Sequence, residues 1–223
     1  MSPRSLILSG GILHPFDQTS DLIAQHLTLL GIRSEILPVR EGLARLGQTS
    51  FDLLAVNALA FTMTQHEKYA SRRATHSFAI SKDEKTAIRS HVQAGGKLLG
   101  LHTAAICFDD WPEWRDLLGV AWKWGVSHHP PPCPVRVADT PPFDTVDELY
   151  CDMSVHPDAE VLLTGTCDGV AEPQPILIRF GNAAYLALGH DKDAVQDPGY
   201  VRLLKRATRA LFPPNSEDAH AID

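Results

Sequence analysis

A helix closed by two glycines and followed at once by an apolar strand leaves this chain little choice of fold. Ser81-Lys-Asp-Glu84 has the spacing of a capping box, in which serine and glutamate each accept a backbone N–H of the first helical turn, and it predicts a helix running to Ala94. Gly95-Gly96 supplies the exit from that helix, and Lys97-Leu-Leu-Gly-Leu101 reads as a buried strand. The strand runs into His102-Thr-Ala-Ala105, small residues that open a short helix. A sharp strand-to-helix turn with small residues around one side chain is a nucleophile elbow, which lifts a reactive group above the edge of an α/β sheet. Here the tip is His102, where hydrolases with such a turn carry serine or cysteine. Imidazole is a poor stable acyl carrier but a good base, proton shuttle or metal ligand. The turn therefore points to acid–base or metal chemistry and away from amide or ester hydrolysis.

The flanking segments repeat the alternation. Ser5–Ser9 is a short buried-strand pattern ending in Gly10-Gly11, and Asp17–Leu30 has helical spacing, with Asp17 or Thr19 as the expected N-cap and Gly31 just past its end. Strands are expected at Arg33–Val39 and Phe51–Val56, a short helix at Trp111–Leu118, and a last helix at Pro198–Leu211. Between them lie short β patterns at Val135–Val137, Glu148–Tyr150, Val161–Thr164, Ile176–Ile178 and Ala184–Leu188. Strands alternating with helices through short glycine turns make an open, mostly parallel sheet, in which ligands bind beyond the carboxyl ends of the strands. His14 and His102 both sit on such turns. Phe61–Ile80 is too long for a simple connection and reads as a lid, an extra helix or a mobile loop. Residues 1–212 are expected to form one domain and 213–223 a disordered tail.

Bulk composition narrows the partners. A net charge of −7 leaves no basic stripe for phosphates, so no nucleic acid is expected, and no apolar run reaches membrane-spanning length. Without a signal-peptide pattern the expected location is the cytoplasm. The four cysteines contain no C-x-x-C pair and read as reduced thiols, with Cys107 the one to watch because it lies just beyond the elbow, where a helix N-terminus lowers a thiol pKa.

The order of several motifs carries a resemblance. Gly10-Gly11 with His14-Pro15-Phe16, then Ala94–Ala104, Trp111 with Leu117-Leu-Gly119, His129-Pro130, Asp147–Tyr150 and Tyr185–Asp191 together resemble the ThuA-like (trehalose utilisation) family of the class I glutamine amidotransferase-like superfamily, over residues 5 to 212. The resemblance implies a flavodoxin-like α/β fold, a predominantly parallel sheet with helices on both faces. The amidotransferase relatives carry a cysteine at the elbow and a histidine on a later turn; here His102 stands at the cysteine position and Gly189-His190-Asp191 resembles the later turn. Glutamine amidotransfer is thus not expected. What the resemblance implies instead is carbohydrate metabolism on a sugar or keto-sugar, alongside partner oxidoreductases. The reaction stays open between a keto-sugar isomerase and a lyase or hydrolase, and a non-catalytic sugar- or partner-binding protein is the alternative. Phe61–Ile80 looks longer, and Thr164–Pro175 shorter, than the family pattern.

On these grounds the candidate catalytic residues are His102, His190 and Glu148, and the candidate substrate-binding residues are His14, His129, Tyr150 and Asp191. His102, His129 and His190 are the expected ligands of a divalent Zn or Mn ion, because converging imidazoles with a carboxylate form the ligand set of catalytic transition metals. No nucleotide cofactor is expected. Period-two alternation puts Leu149 toward the core and Glu148 and Tyr150 on a more open face. Trp122 and Trp124 read as core residues, with stacking on a sugar ring as the other reading. Separations beyond about 8–10 Å between His102, His190 and His129 would favour the binding-only alternative, since no hydrogen-bond relay could then form.

Overall fold

The computed structural model describes residues 2–213. In chain order its elements are β1 (Arg4–Gly10), α1 (Phe16–Leu29), β2 (Arg33–Pro38), α2 (Val39–Leu46), β3 (Leu53–Ala58), α3 (Ala70–His76), α4 (Lys82–Gln93), β4 (Lys97–Leu101) and α5 (Glu113–Leu118). There follow β5 (Val120–Ala121), β6 (Cys133–Val137), β7 (Phe143–Asp147), β8 (Ser154–Val155), β9 (Glu160–Thr166), β10 (Gln174–Phe180), β11 (Ala183–Leu186), α6 (Lys192–Gln196) and α7 (Pro198–Leu211). Apart from Pro213, the tail expected to be disordered lies outside the described residues.

Nine strands form one sheet in the order β2-β1-β3-β4-β11-β10-β9-β6-β7. The first five are parallel, and β10, β9, β6 and β7 extend them antiparallel. This is the flavodoxin-like arrangement, with an antiparallel extension on one side. Successive residues of each parallel strand alternate between two cores. Leu6, Leu8, Leu54, Val56 and Leu98 pack with α2, α4 and α5 on one face, while Ile7, Leu53, Ala55, Leu99 and Leu101 pack with α1 and α7 on the other. Burial on both faces explains why these strands read as unbroken apolar runs. β4 lies in the interior of the sheet, and His102 follows its carboxyl end.

The capping box forms as its spacing predicts: the Ser81 hydroxyl accepts from the Glu84 amide and the Glu84 carboxylate accepts from the Ser81 amide. Helix α7 matches its predicted span. Three expectations need correction. Helix α1 begins at Phe16, with Pro15 at the cap and no side-chain cap, so neither Asp17 nor Thr19 starts it. The strand expected at Arg33–Val39 stops at Pro38, and Val39 opens helix α2, which buries Val39, Leu43 and Leu46. Glu148–Tyr150 is not a strand; the strand is β7, and these residues leave its end. The signal was inverted there, because the inward-facing residues of β7 are Thr145 and Asp147 while apolar Val146 faces solvent.

The long 61–80 connection is a packed wall. It holds a 3₁₀ turn at Glu67–Tyr69 and α3, and Phe61, Met63 and Tyr69 form a third core with Ile12, Phe16 and Leu59. Asp109 fixes it by accepting from Thr62 and Gln65. Trp124 stacks on Phe61 with centroids 5.7 Å apart.

Candidate active site

Four turns beyond strand ends deliver the site. After β1, Gly10 and Gly11 adopt φ of 124° and 132°, and a Cβ on Gly11 would lie 2.8 Å from the Leu59 carbonyl oxygen, so only glycine lets the chain double back here. That turn presents His14. After β4, His102 itself adopts φ 42°, a left-handed conformation that costs a non-glycine residue energy and that clusters at functional sites. Its carbonyl accepts from the Tyr185 hydroxyl at 2.7 Å, which holds the turn down. After β7 comes Glu148. After β11, Gly189 at φ 115° packs against Tyr200 and hands the chain to His190.

Asp147 ties the last two turns together. Its buried carboxylate accepts the amides of Glu148 (2.8 Å), Gly189 (2.7 Å) and His190 (3.1 Å), fixing the spacing of Glu148 against His190. Burial pushes its pKa up, and those three N–H donors together with the charge of His102 pull it back. This organising role had no sequence signal beyond the aspartate's place in the Asp147–Tyr150 motif.

Glu148 is the centre. One oxygen, Oε2, lies 3.4 Å from His102 Nε2 and 3.2 Å from His190 Nδ1, and the other, Oε1, lies 3.5 Å from His129 Nδ1. The His14 ring packs edge-on against both His102 and His190, with centroids 5.2 and 4.7 Å away. His14, His102, Glu148 and His190 each offer one ligand atom within 4.8 Å of the others. His102, Glu148 and His190 therefore converge, and the separation expected for a binding-only relic is not found.

The donors are oriented by the backbone. His102 Nδ1 sits 2.7 Å from the Ala187 carbonyl, which can only accept, so Nδ1 donates there and Nε2 faces Glu148. His14 Nδ1 likewise faces the Ile12 carbonyl at 3.4 Å. His14 Nε2, His102 Nε2 and His190 Nδ1 are all buried without a hydrogen-bond partner. Three unpaired imidazole nitrogens around one carboxylate oxygen are costly in a bare protein and match the donor set of a Zn- or Mn-type ion.

Electrostatics follow the same geometry. Burial opposes ionisation of Glu148, but the neighbouring imidazoles of His102, His190 and His129 overcome it and hold the carboxyl far below the usual carboxylate range. The neighbouring Glu148 carboxylate raises the His190 pKa against a smaller opposing effect of burial. Burial, reinforced by His102 and His190, lowers His14 to about 4, so that ring is neutral at pH 7.

The remaining candidates fall into place differently. His129 stands at the rim, with its side chain 38% exposed, and it is not among the four converging groups; His14 takes the place expected for it. Tyr150 is buried rather than on an open face, and packs on His102 (4.4 Å), Trp122 (5.0 Å) and His129 (5.5 Å). The Asp191 carboxylate accepts from the Ala194 amide and caps α6. Cys107 is buried at 2% exposure, and burial pushes its thiol up to about 12, the reverse of an activated nucleophile. A cavity of about 950 Å³ lies at the opposite, amino-terminal ends of β3 and β4, around Asp52, Ser90 and Lys97, away from this chemistry. Among the described residues no helix is long and apolar enough to cross a membrane.

Comparison with known proteins bears on this fold. A family model described as ThuA, trehalose utilisation, matches residues 46–209. A crystal structure of a ThuA-like protein from Parabacteroides merdae superposes with a TM-score of 0.69 at 17% identity, covering 95% of this chain and 90% of that one. One from Bacteroides uniformis gives 0.65 at 18% identity, covering 97% and 94%. A cytoplasmic protein of Salmonella typhimurium gives 0.59 at 14% identity, covering 92% and 98%. No curated protein sequence matches the chain.

Proposed function

This chain belongs to the ThuA (trehalose utilisation) family, and from that premise we propose that it is an enzyme of carbohydrate metabolism acting on a sugar or keto-sugar by metal-assisted acid–base chemistry. The observation that carries the proposal is the set of three buried, unpartnered imidazole nitrogens around Glu148. His14, His102, His190 and Glu148 would hold a divalent Zn or Mn ion. Such an ion supplies Lewis-acid polarisation of a carbonyl or hydroxyl oxygen.

The chain's own residues supply the rest. Glu148, whose carboxyl is held far down, is a weak base and serves better as ligand and orienter. His129 Nδ1 faces both the Pro130 carbonyl at 3.0 Å and Glu148 Oε1, so its proton sits on Nδ1. That leaves Nε2 of a half-exposed ring as the general base, with a carboxylate behind it, the arrangement that orients catalytic histidines. The proton it takes would come from a carbon next to a sugar carbonyl, in an enolisation or isomerisation. Tyr150 and Trp122 pack on the ring and limit its swing. Substrate would come from a partner oxidoreductase that makes the ketone. A structural neighbour described as a cytoplasmic protein, together with free cysteines, supports a cytoplasmic location.

The test is solvent-deuterium exchange. Incubated in heavy water with keto-disaccharides and assayed by NMR, the protein should incorporate deuterium beside the carbonyl, and His129→Gln should stop it. Exchange that persists in His129→Gln removes the base assignment, and no exchange or product across the panel removes the enzyme reading.

A further inference from the structure

Beside the four converging groups lies a second recess of about 230 Å³, lined by His190, Thr145, Asp147, Asp191, Asp193 and Asp197. Thr145 and Asp147 alternate with exposed Val146 along β7, so both side chains point to the buried side of the strand. Thr145 is 5% exposed, and its hydroxyl is buried without a hydrogen-bond partner. A hydroxyl kept dry and unpaired is expensive, and it marks a place where something other than protein completes the bond.

The recess is rich in acceptors and poor in donors. Asp147 spends both oxygens on backbone amides. Asp191 and Asp197 each use Oδ1 to cap a helix, accepting from Ala194 and Gly199, and their second oxygens accept nothing among the described residues. Asp193 is exposed, and the Lys192 ammonium lies 3.9 Å from it. These carboxylates do not converge as a cation cage: among the described residues only His14, His102, Glu148 and His190 bring three or more ligand atoms together. Spread-out acceptors with one free hydroxyl fit a ligand that brings several O–H donors and no negative charge.

We infer that this recess is the subsite for the non-reacting part of a neutral polyhydroxylated substrate, recognised by Thr145 and the Asp191, Asp193 and Asp197 carboxylates, and that it rejects phosphorylated or carboxylated sugars. The inference rests on the reading of the adjoining site as one that acts on sugars. It assigns specificity to Thr145 on β7 and to the carboxylates in and around α6.

The experiment is a two-dimensional NMR titration of the purified full chain with trehalose and, separately, trehalose 6-phosphate. Trehalose should shift the amides of Thr145, Val146, Asp193 and Ala194, and the phosphorylated sugar should bind at least about tenfold more weakly, through repulsion by the carboxylates. Thr145→Val deletes only an unpaired hydroxyl, so its melting temperature should not fall, while Kd for trehalose should rise about five- to tenfold, as for one lost hydrogen bond. Asp193→Asn, at an exposed position, should narrow the gap between the two sugars. Equal binding of both sugars, an unchanged Kd in Thr145→Val, or shifts confined to residues away from α6 and β7 would overturn the inference. Deuterium exchange on keto-sugars reads the two claims apart: exchange without these shifts retains the active-site reading and removes the subsite. Shifts without exchange do the reverse.

Discussion

His102 Nε2 faces Glu148 Oε2 at 3.4 Å, while the other nitrogen of the same ring donates to the Ala187 carbonyl at 2.7 Å. The ring is thus committed at one end by backbone, and its other nitrogen points at a carboxylate. Neutral imidazole cannot donate there, so the contact is satisfied by a second proton or by an ion between the groups.

His102→Asn should abolish metal retention and activity while the protein stays folded. Asparagine tolerates the left-handed φ of 42° that alanine would find strained. The ring is 2% exposed and packs on Tyr150, so a loss of about 2–4 kcal/mol is expected from the emptied space. Metal content by mass spectrometry and a chemical melt check both parts; full metal content in this variant would remove His102 from the ligand set.

Asp147→Asn should destabilise the fold by about 2–3 kcal/mol, because an amide NH₂ would meet one of three backbone N–H donors now served by the carboxylate. The same change should loosen the Glu148–His190 spacing and weaken metal affinity about 10- to 100-fold, as loss of an outer support does. A melt that moves with unchanged metal affinity would make Asp147 purely structural.

Stability should fall in acid through His91. Its ring is buried, and its Nε2 donates to the Lys97 carbonyl at 2.9 Å. Burial lowers the pKa, against the opposing pull of that hydrogen bond and of Asp52. The unfolded chain therefore binds a proton at a pH where the folded chain does not. The contribution is complete above the unfolded pKa of about 6.5 and is lost as pH falls below it. Thermal melts between about pH 7.5 and 5.5 should show a smaller drop for His91→Gln than for wild type; parallel slopes would contradict this.

Cys107 should be inert. Its thiol donates to the Ala58 carbonyl at 3.0 Å, and burial pushes its pKa up to about 12. Mass spectrometry after iodoacetamide treatment of the native protein at neutral pH should find no fast modification at this position. Rapid labelling would reopen amide hydrolysis as a reading.

Much of the fold was legible because its signals are local. The capping box, the double glycine and the elbow lie within 25 consecutive residues, Ser81–Ala105, and each acts on its own neighbours. Helix α2 was missed because it starts directly from strand β2 with Pro38 at its cap, leaving no loop to announce it. In the site, the turns that present His102, His190 and His14 were readable, but not which way their rings point. His14, expected only to bind substrate, converges with His102, Glu148 and His190 while His129 lies at the rim, because convergence depends on how β1, β4, β7 and β11 sit side by side, which no spacing along the chain encodes. Asp147 escaped for a related reason: two of its three partners lie more than 40 residues away.

The central claim is that His14, His102, Glu148 and His190 form a metal-dependent site, and metal analysis coupled to exchange tests it most directly. Purified wild type should contain about one Zn or Mn per chain, held by the three imidazoles and the carboxylate. Chelation should remove both the metal and the deuterium exchange on keto-sugars, re-addition should restore both, and Glu148→Gln should lose both. A wild type that exchanges fully after the metal is stripped would contradict the claim and leave these residues a plain acid–base cluster.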